Sequence, residues 1–168
     1  MKFAFCPFCG NSLIEKEIGD EGILPFCGNC DKPFFDQIGL CTITAVINKK
    51  YEIALVKDAR QKKWGLIAGY LKNGESIEES SMREVKEEIG LSPINCKYIS
   101  SFPYLEKDLI MIGFISFVEN SNSSLSQEIE EIKWHSLENA KRELRDGSIA
   151  QKLVIEILNT MHLTTAST

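Results

Sequence analysis

Runs of β-branched and apolar residues, separated by short polar turns, set out the elements of this chain. Leu40 to Ile47 reads LCTITAVI; it is rich in β-branched residues and predicts a strand. Asn48-Lys49-Lys50 is the turn after it, and Tyr51 to Val56 is a second strand. Two more strands are expected over Cys96–Phe102 and Leu109–Val118, with Pro103-Tyr104 and Glu106-Lys107-Asp108 between them. A helix falls between the two pairs. Ser76 with Glu79 three residues later forms a capping box, Ile77, Val85 and Ile89 supply an apolar stripe, and Gly90 ends the helix beyond Ile89. Asn120 to Ser126 is a polar, serine-rich loop. Ser136 and Ser148 then cap two helices, Ser136 to Asp146 and Ile149 to Met161, with Gly147 separating them.

The 168 residues, 43% hydrophobic and 26% charged, suit one medium domain with a small appendage. A net charge of −5 argues against a surface that coats nucleic acid. No apolar run has the length of a membrane span, and no basic start precedes an apolar core, so a cytoplasmic protein without membrane contact is expected. In that setting the pairing of cysteines favours metal over disulfides. Cys6 and Cys9 form one Cys-x-x-Cys unit and Cys27 and Cys30 another. Two such turns complete a tetrahedral Zn²⁺ site, and Gly19 and Gly22 provide turn material for a hairpin between them. Residues 1–36 thus resemble a zinc ribbon, too short to bury much core and dependent on the metal for folding. Four thiolates leave no open position for water, which makes this zinc structural. A redox dithiol and a disulfide pair are the rival readings. Residues 37–168 form the second module, in which Cys41 and Cys96 are read as small core residues.

The chemistry concentrates between Gly69 and Leu91, GYLKNGESIEESSMREVKEEIGL. Glu84, Glu87 and Glu88 stand at i, i+3 and i+4 and converge on one helix face. Like charges so placed destabilise a helix unless a hard cation such as Mg²⁺ is held between their oxygens. Gly69 and Gly74 let the preceding loop bend tightly. A solvated acidic face is the bland alternative. The full pattern, glycine-x5-Glu-x7-Arg-Glu-apolar-x-Glu-Glu-x-Gly-apolar, resembles the Nudix box at every fixed position. The resemblance implies an α/β class fold, a Nudix α/β/α sandwich with a mixed sheet, preceded here by the ribbon. It implies that Glu84, Glu87 and Glu88 hold Mg²⁺ or Mn²⁺, with the carbonyl of Gly69 and a further carboxylate assisting. Arg83 then orients a neighbouring acid such as Glu75. Gln127 to Trp134 is similar to the family segment in which an acid precedes a strand ending in Trp, which makes Glu128 the candidate for that further carboxylate. The general base is left open among Glu87, Glu88 and Glu128.

The entrance Ile67-Ala68-Gly69-Tyr70, in place of the frequent Pro-Gly-Gly, is similar to the NADH pyrophosphatase subgroup, which also places a four-cysteine ribbon ahead of the box. Gly147-Ser148-Ile149-Ala150 matches that subgroup's Ser-Ile-Ala signature near the adenine, so Ala150 joins Gly69 as a substrate-side residue. The subgroup's Ser-Gln-Pro-Trp segment is replaced by Ser100-Ser101-Phe102-Pro103-Tyr104. Phe102 or Tyr104 stacks on a base or else belongs to the core. The resemblance implies hydrolysis of a nucleoside diphosphate linked to another moiety, first an NADH-like dinucleotide. ADP-ribose or a nucleotide sugar is the nearest alternative, and an NAD-like RNA cap contains the same bond. From another class comes a ligand sensor whose ribbon binds nucleic acid or a protein, against which the complete set of box acids speaks. NADH pyrophosphatases carry a further domain before the ribbon, so its functions do not transfer to this chain, and a homodimer is left open.

Overall fold

The computed structural model describes residues 4–165, with side chains as far as Met161. Two compact units divide between Ile38 and Gly39. In the first, Ile14–Glu17 (β1) pairs antiparallel with Ile23–Cys27 (β2), and β2 pairs with Lys32–Pro33 (β3). Gly22, at φ 75°, closes the β1–β2 turn in a conformation that side chains resist. Its buried cluster is Cys6, Leu13 and Cys27, with Cys30 and Phe34 against it. So small a core supplies little burial, and the sulfur atoms are part of it.

The second unit continues with Gly39–Ile47 (β4), Ile53–Asp58 (β5), Trp64–Gly65 (β6) and Ile67–Tyr70 (β7). Next come Ile77–Ile89 (α1), Asn95–Tyr104 (β8), Leu109–Phe117 (β9), Ile129–His135 (β10), Leu137–Glu143 (α2) and Ile149–Thr165 (α3). The seven-stranded sheet runs β10-β5-β4-β9-β8, with β6 on β5 and β7 on β4. It is mixed, since β4 and β9 pair in parallel and their neighbours antiparallel. Alternation along β4 builds both layers. Ile43, Ala45 and Ile47 face a core with Ala140 of α2 and Leu153, Val154 and Ile157 of α3. Val46 faces Val85 and Ile89 of α1, and Thr44 Oγ1 lies 2.8 Å from Ser81 Oγ on the same helix. Helices thus cover both faces, the expected α/β/α sandwich. No described helix is long and apolar enough to cross a membrane.

Several element limits differ from expectation: β8 runs on through Pro103 and Tyr104, which stay paired with Ile110 and Leu109 of β9, and α3 continues past Met161 to Thr165. Tyr51 is in the turn rather than in β5, at φ 61°. Asn48 Oδ1 accepts the N–H groups of Lys50 and Glu52, holding a longer turn that releases the chain into β5 only at Ile53. Helix α2 stops at Glu143 instead of Asp146 because Leu144 turns extended, at ψ 145°, and buries its side chain in the core.

Candidate active site

Helix α1 begins as its cap predicts. Ser76 Oγ accepts the Glu79 N–H at 3.2 Å while Glu79 Oε2 accepts the Ser76 N–H at 2.8 Å. Gly90 ends it in the left-handed region, at φ 70°. Burial of Val85 and Ile89 fixes the helix rotation, and β7 supplies the opposing wall. Gly69 of β7 makes that approach possible, because a Cβ there would lie 1.9 Å from Cδ of Glu84.

Arg83 organises the acids around it. Its Nε and Nη2 donate to the two oxygens of Glu75 at 2.8 and 2.7 Å, a bidentate pair. Nη1 donates to Glu84 Oε1 at 2.6 Å and Glu87 Oε2 at 2.9 Å, and Nη2 also reaches the Tyr70 carbonyl at 3.1 Å. These bonds hold the guanidinium charged and the Glu75 carboxyl down at about 2. Partial burial works to raise Glu87, yet Lys72 and Arg83 hold it below its ordinary range.

Glu128 reaches the site through the serine-rich loop. Ser124 and Ser126 donate their N–H groups to the carbonyls of Ile89 and Glu88, both at 2.9 Å, which satisfies the end of α1 and anchors the loop there. Ala59 N–H in turn donates to the Glu128 carbonyl at 2.8 Å. Glu84, Glu87, Glu88 and Glu128 line one cavity of about 780 Å³, together with Gly69 and Tyr70. Burial pushes the Glu88 carboxyl up to about 8, helped by the charges of Glu84, Glu128 and Asp58 and opposed by a hydrogen bond from the Ala68 N–H.

This donor set fits a hard divalent cation. All four groups are oxygen acids, and burial first, with the charges of Glu84 and Glu128 after it, raises the proton affinity of Glu88, an imbalance that a cation relieves. Among the described residues, no three of these carboxylates bring one oxygen each to within 4.8 Å; only Cys6, Cys9, Cys27 and Cys30 form a group that close. Arg83 and Lys72 stand in as cations for Glu84 and Glu87 meanwhile.

Zinc bonds of about 2.3 Å in a tetrahedron give sulfur–sulfur edges of about 3.8 Å. Cys6 and Cys30 Sγ are 3.8 Å apart and Cys9 and Cys27 Sγ 3.5 Å, with all four cysteines unbridged. A backbone hydrogen bond at Asn11 holds the Cys9 thiol down at about 6, and contact with Cys9 pushes Cys30 up to about 12. Four sulfurs so crowded cannot all ionise without a cation among them. The thiols are therefore arranged for one tetrahedral ion.

A family model described as the NUDIX domain matches residues 39–156, a span that includes α1, β7 and the Glu128 loop. The chain belongs to the NUDIX family. Curated relatives of this NUDIX chain include the NAD-capped RNA hydrolase NudC of Vibrio vulnificus, 30% identical over 94% of this chain and 60% of that protein. The NAD-capped RNA hydrolase NudC of Photobacterium profundum is 28% identical over 92% of this chain and 58% of its own length. The chain thus spans about three-fifths of the length of these relatives, which it matches through the ribbon as well as the NUDIX domain. A NUDIX hydrolase from Nitrosomonas europaea superposes with a TM-score of 0.70 at 17% identity, covering 90% of this chain and 88% of that one, a likeness of fold.

The remaining expected residues of the NUDIX unit lie elsewhere than the carboxylate cavity. Phe102 and Ala150 pack against the core on the α2–α3 side of the sheet. Tyr104 lines a second cavity of about 430 Å³ with Gly147, Ser148 and Ile149, so two segments far apart in the chain meet there. Sequence reading passed over Arg60, Lys72 and Asp58. Their signal was faint: a basic stretch after β5 for Arg60, one lysine inside the Nudix box for Lys72, and none for Asp58, the last residue of β5.

Proposed function

We propose that this chain hydrolyses, with a divalent cation, the diphosphate bond of a nucleoside diphosphate linked to another moiety. The observation that carries the reading is the meeting of Glu84, Glu87 and Glu88 of α1 with Glu128 of the loop around one cavity beside Gly69. Those carboxylates, with the Gly69 carbonyl, would hold Mg²⁺ or Mn²⁺. Such an ion supplies charge neutralisation and Lewis acidity at a phosphoanhydride that its own charge shields from water. Arg83 positions Glu84 and Glu87 and ties both to Glu75 and the β7 backbone. Glu87 accepts from Arg83 and Lys72, and the carboxylate that takes a proton from the attacking water is one of Glu87, Glu88 and Glu128. The four thiols hold a structural Zn²⁺.

For the substrate we infer an NADH-like dinucleotide, cleaved to two mononucleotides. The Ala68-Gly69-Tyr70 entrance, the four-cysteine unit and the cavity where Tyr104 meets Ser148 and Ile149 support a two-nucleotide ligand. The relatives from Vibrio vulnificus and Photobacterium profundum, NAD-capped RNA hydrolases, add an NAD-capped RNA, which contains the same bond. The test is a panel of NADH, ADP-ribose and an NAD-capped oligoribonucleotide with Mg²⁺ or Mn²⁺, products being identified by mass. Metal-dependent release of mononucleotides from NADH is expected. Release from no member of the panel would favour a nucleotide-binding module instead. Full turnover in both Glu87→Gln and Glu88→Gln would overturn the roles given to these residues.

A further inference from the structure

Lys72 lies inside the box, between Gly69 and Glu75, at a position the box pattern leaves free. Its backbone N–H donates to Glu75 Oε1 at 2.6 Å, which pins the main chain at the rim of the carboxylate cavity. The side chain is held far less firmly. Its Nζ stands 3.3 and 3.4 Å from the two oxygens of Glu87, and the two side chains are 59% and 50% exposed. Long, solvated ion pairs of this kind are weak and exchange readily.

The contrast with Arg83 is informative. Arg83 uses its donors on Glu75, Glu84, Glu87, Ser80 and the Tyr70 carbonyl, and it is not among the residues lining the cavity. Lys72 and Arg60 are the cations that do line it, facing the four glutamates. A diphosphate brought to this cavity meets like charge on most sides, and an ammonium on a flexible stem at the rim is available to it. Once Glu87 gives its charge to a divalent cation, Lys72 loses its counter-ion.

We propose that Lys72 is a substrate-binding residue that leaves Glu87 for a phosphate oxygen of the nucleoside diphosphate when a divalent cation occupies the glutamates. The inference rests on the diphosphate reading above and adds to it a residue and an exchange of partners. It predicts two effects of opposite sign from one substitution. Lys72→Met keeps the stem and removes the charge. Mn²⁺ binding without nucleotide should tighten by about two- to fivefold, because a competitor for Glu87 is gone. Binding of α,β-methylene-ADP in the presence of Mn²⁺ should weaken by about tenfold, because a charge-assisted hydrogen bond to phosphate is lost. Lys72→Arg, which keeps the charge, should recover most of the nucleotide affinity.

Free Mn²⁺ read by electron paramagnetic resonance gives the first quantity, and titration calorimetry on the whole chain gives the second. Opposite shifts in Lys72→Met, reversed in Lys72→Arg, support the exchange. Parallel weakening of both ligands would assign Lys72 a merely structural role and overturn it, as would unchanged nucleotide affinity. If the wild-type chain itself fails to bind the analogue, the diphosphate reading falls first and this inference with it. Normal wild-type binding with no effect in Lys72→Met sinks the inference alone.

Discussion

Gly69 and Glu84 occupy one another's space: the carboxyl of Glu84 sits where any side chain at position 69 would begin, 1.9 Å from the place of its Cβ. The first glycine of the box is thus explained by Glu84, the first of the three acids at i, i+3 and i+4 on its helix. Gly69→Ala must move β7 or swing Glu84 out of the cavity. Since a displacement of about 1 Å near a reacting centre can lower turnover by about a hundredfold, a loss of that order is expected in kcat. The capping box and the buried face of α1 are untouched, so far-ultraviolet circular dichroism should remain that of the wild type. A variant with undiminished kcat would show that the Glu84 position does not matter to the reaction.

The pair of Glu75 and Arg83 predicts an acid limit. Glu75 is held at about 2, well below its ordinary 4.5, by the guanidinium first and by the Lys72 N–H as well. A depressed carboxyl contributes stability that is present above the unfolded value and lost as pH falls through the folded one. The wild type should therefore lose this contribution between about pH 4.5 and 2. Glu75→Gln should have a lower melting temperature at neutral pH and a flatter dependence across that acid window. Melting curves of both proteins from pH 2 to 7 check it, and parallel curves would speak against the clamp.

Glu88 predicts the opposite sign. Its folded value of about 8 lies above the ordinary 4.5, so in metal-free protein its contribution is fully present below about pH 4.5 and is lost as pH rises through 8. A divalent cation must then displace a proton. Mn²⁺ affinity should rise by up to about tenfold per pH unit toward pH 8, with about one proton released per ion near neutrality. Calorimetry in buffers of different ionisation enthalpy counts that proton. In Glu88→Gln the proton release should disappear, and the metal-free protein should lose the decline in stability between pH 4.5 and 8.

Zinc should be present at about one ion per chain, bound by four thiolates. Chelation, or Cys6→Ser, should collapse the amide dispersion of the first unit, whose core is little more than the cysteines, Leu13 and Phe34. Elemental analysis and heteronuclear spectra test both statements. Intact dispersion after complete zinc removal would mean that this unit folds without the metal.

Much of this was legible along the chain. Ser76 and Glu79 announced the helix start, and Gly90 its end, because caps are settled by residues three or four apart. The strand at Leu40–Ile47 was plain for the same reason, being carried by local composition. Tyr51 was misjudged because the turn is held by the side chain of Asn48, a bond that hydrophobic patterning does not register. Glu128 was found only through resemblance, since its closeness to Glu88 depends on backbone bonds from Ser124 and Ser126 to the end of α1.

The sequence by itself determined the local facts: three glutamates on one helix face, two pairs of thiols on tight turns, and a glycine ahead of the helix. Tertiary structure alone decided what those facts amount to. It brought β7 against α1 so that Gly69 admits Glu84, buried Glu88 among other charges so that it holds its proton, and set Lys72 at the rim while Arg83 was enclosed. Spacing along a helix fixes direction over a few residues, whereas burial and charge depend on groups that packing brings in from distant parts of the chain.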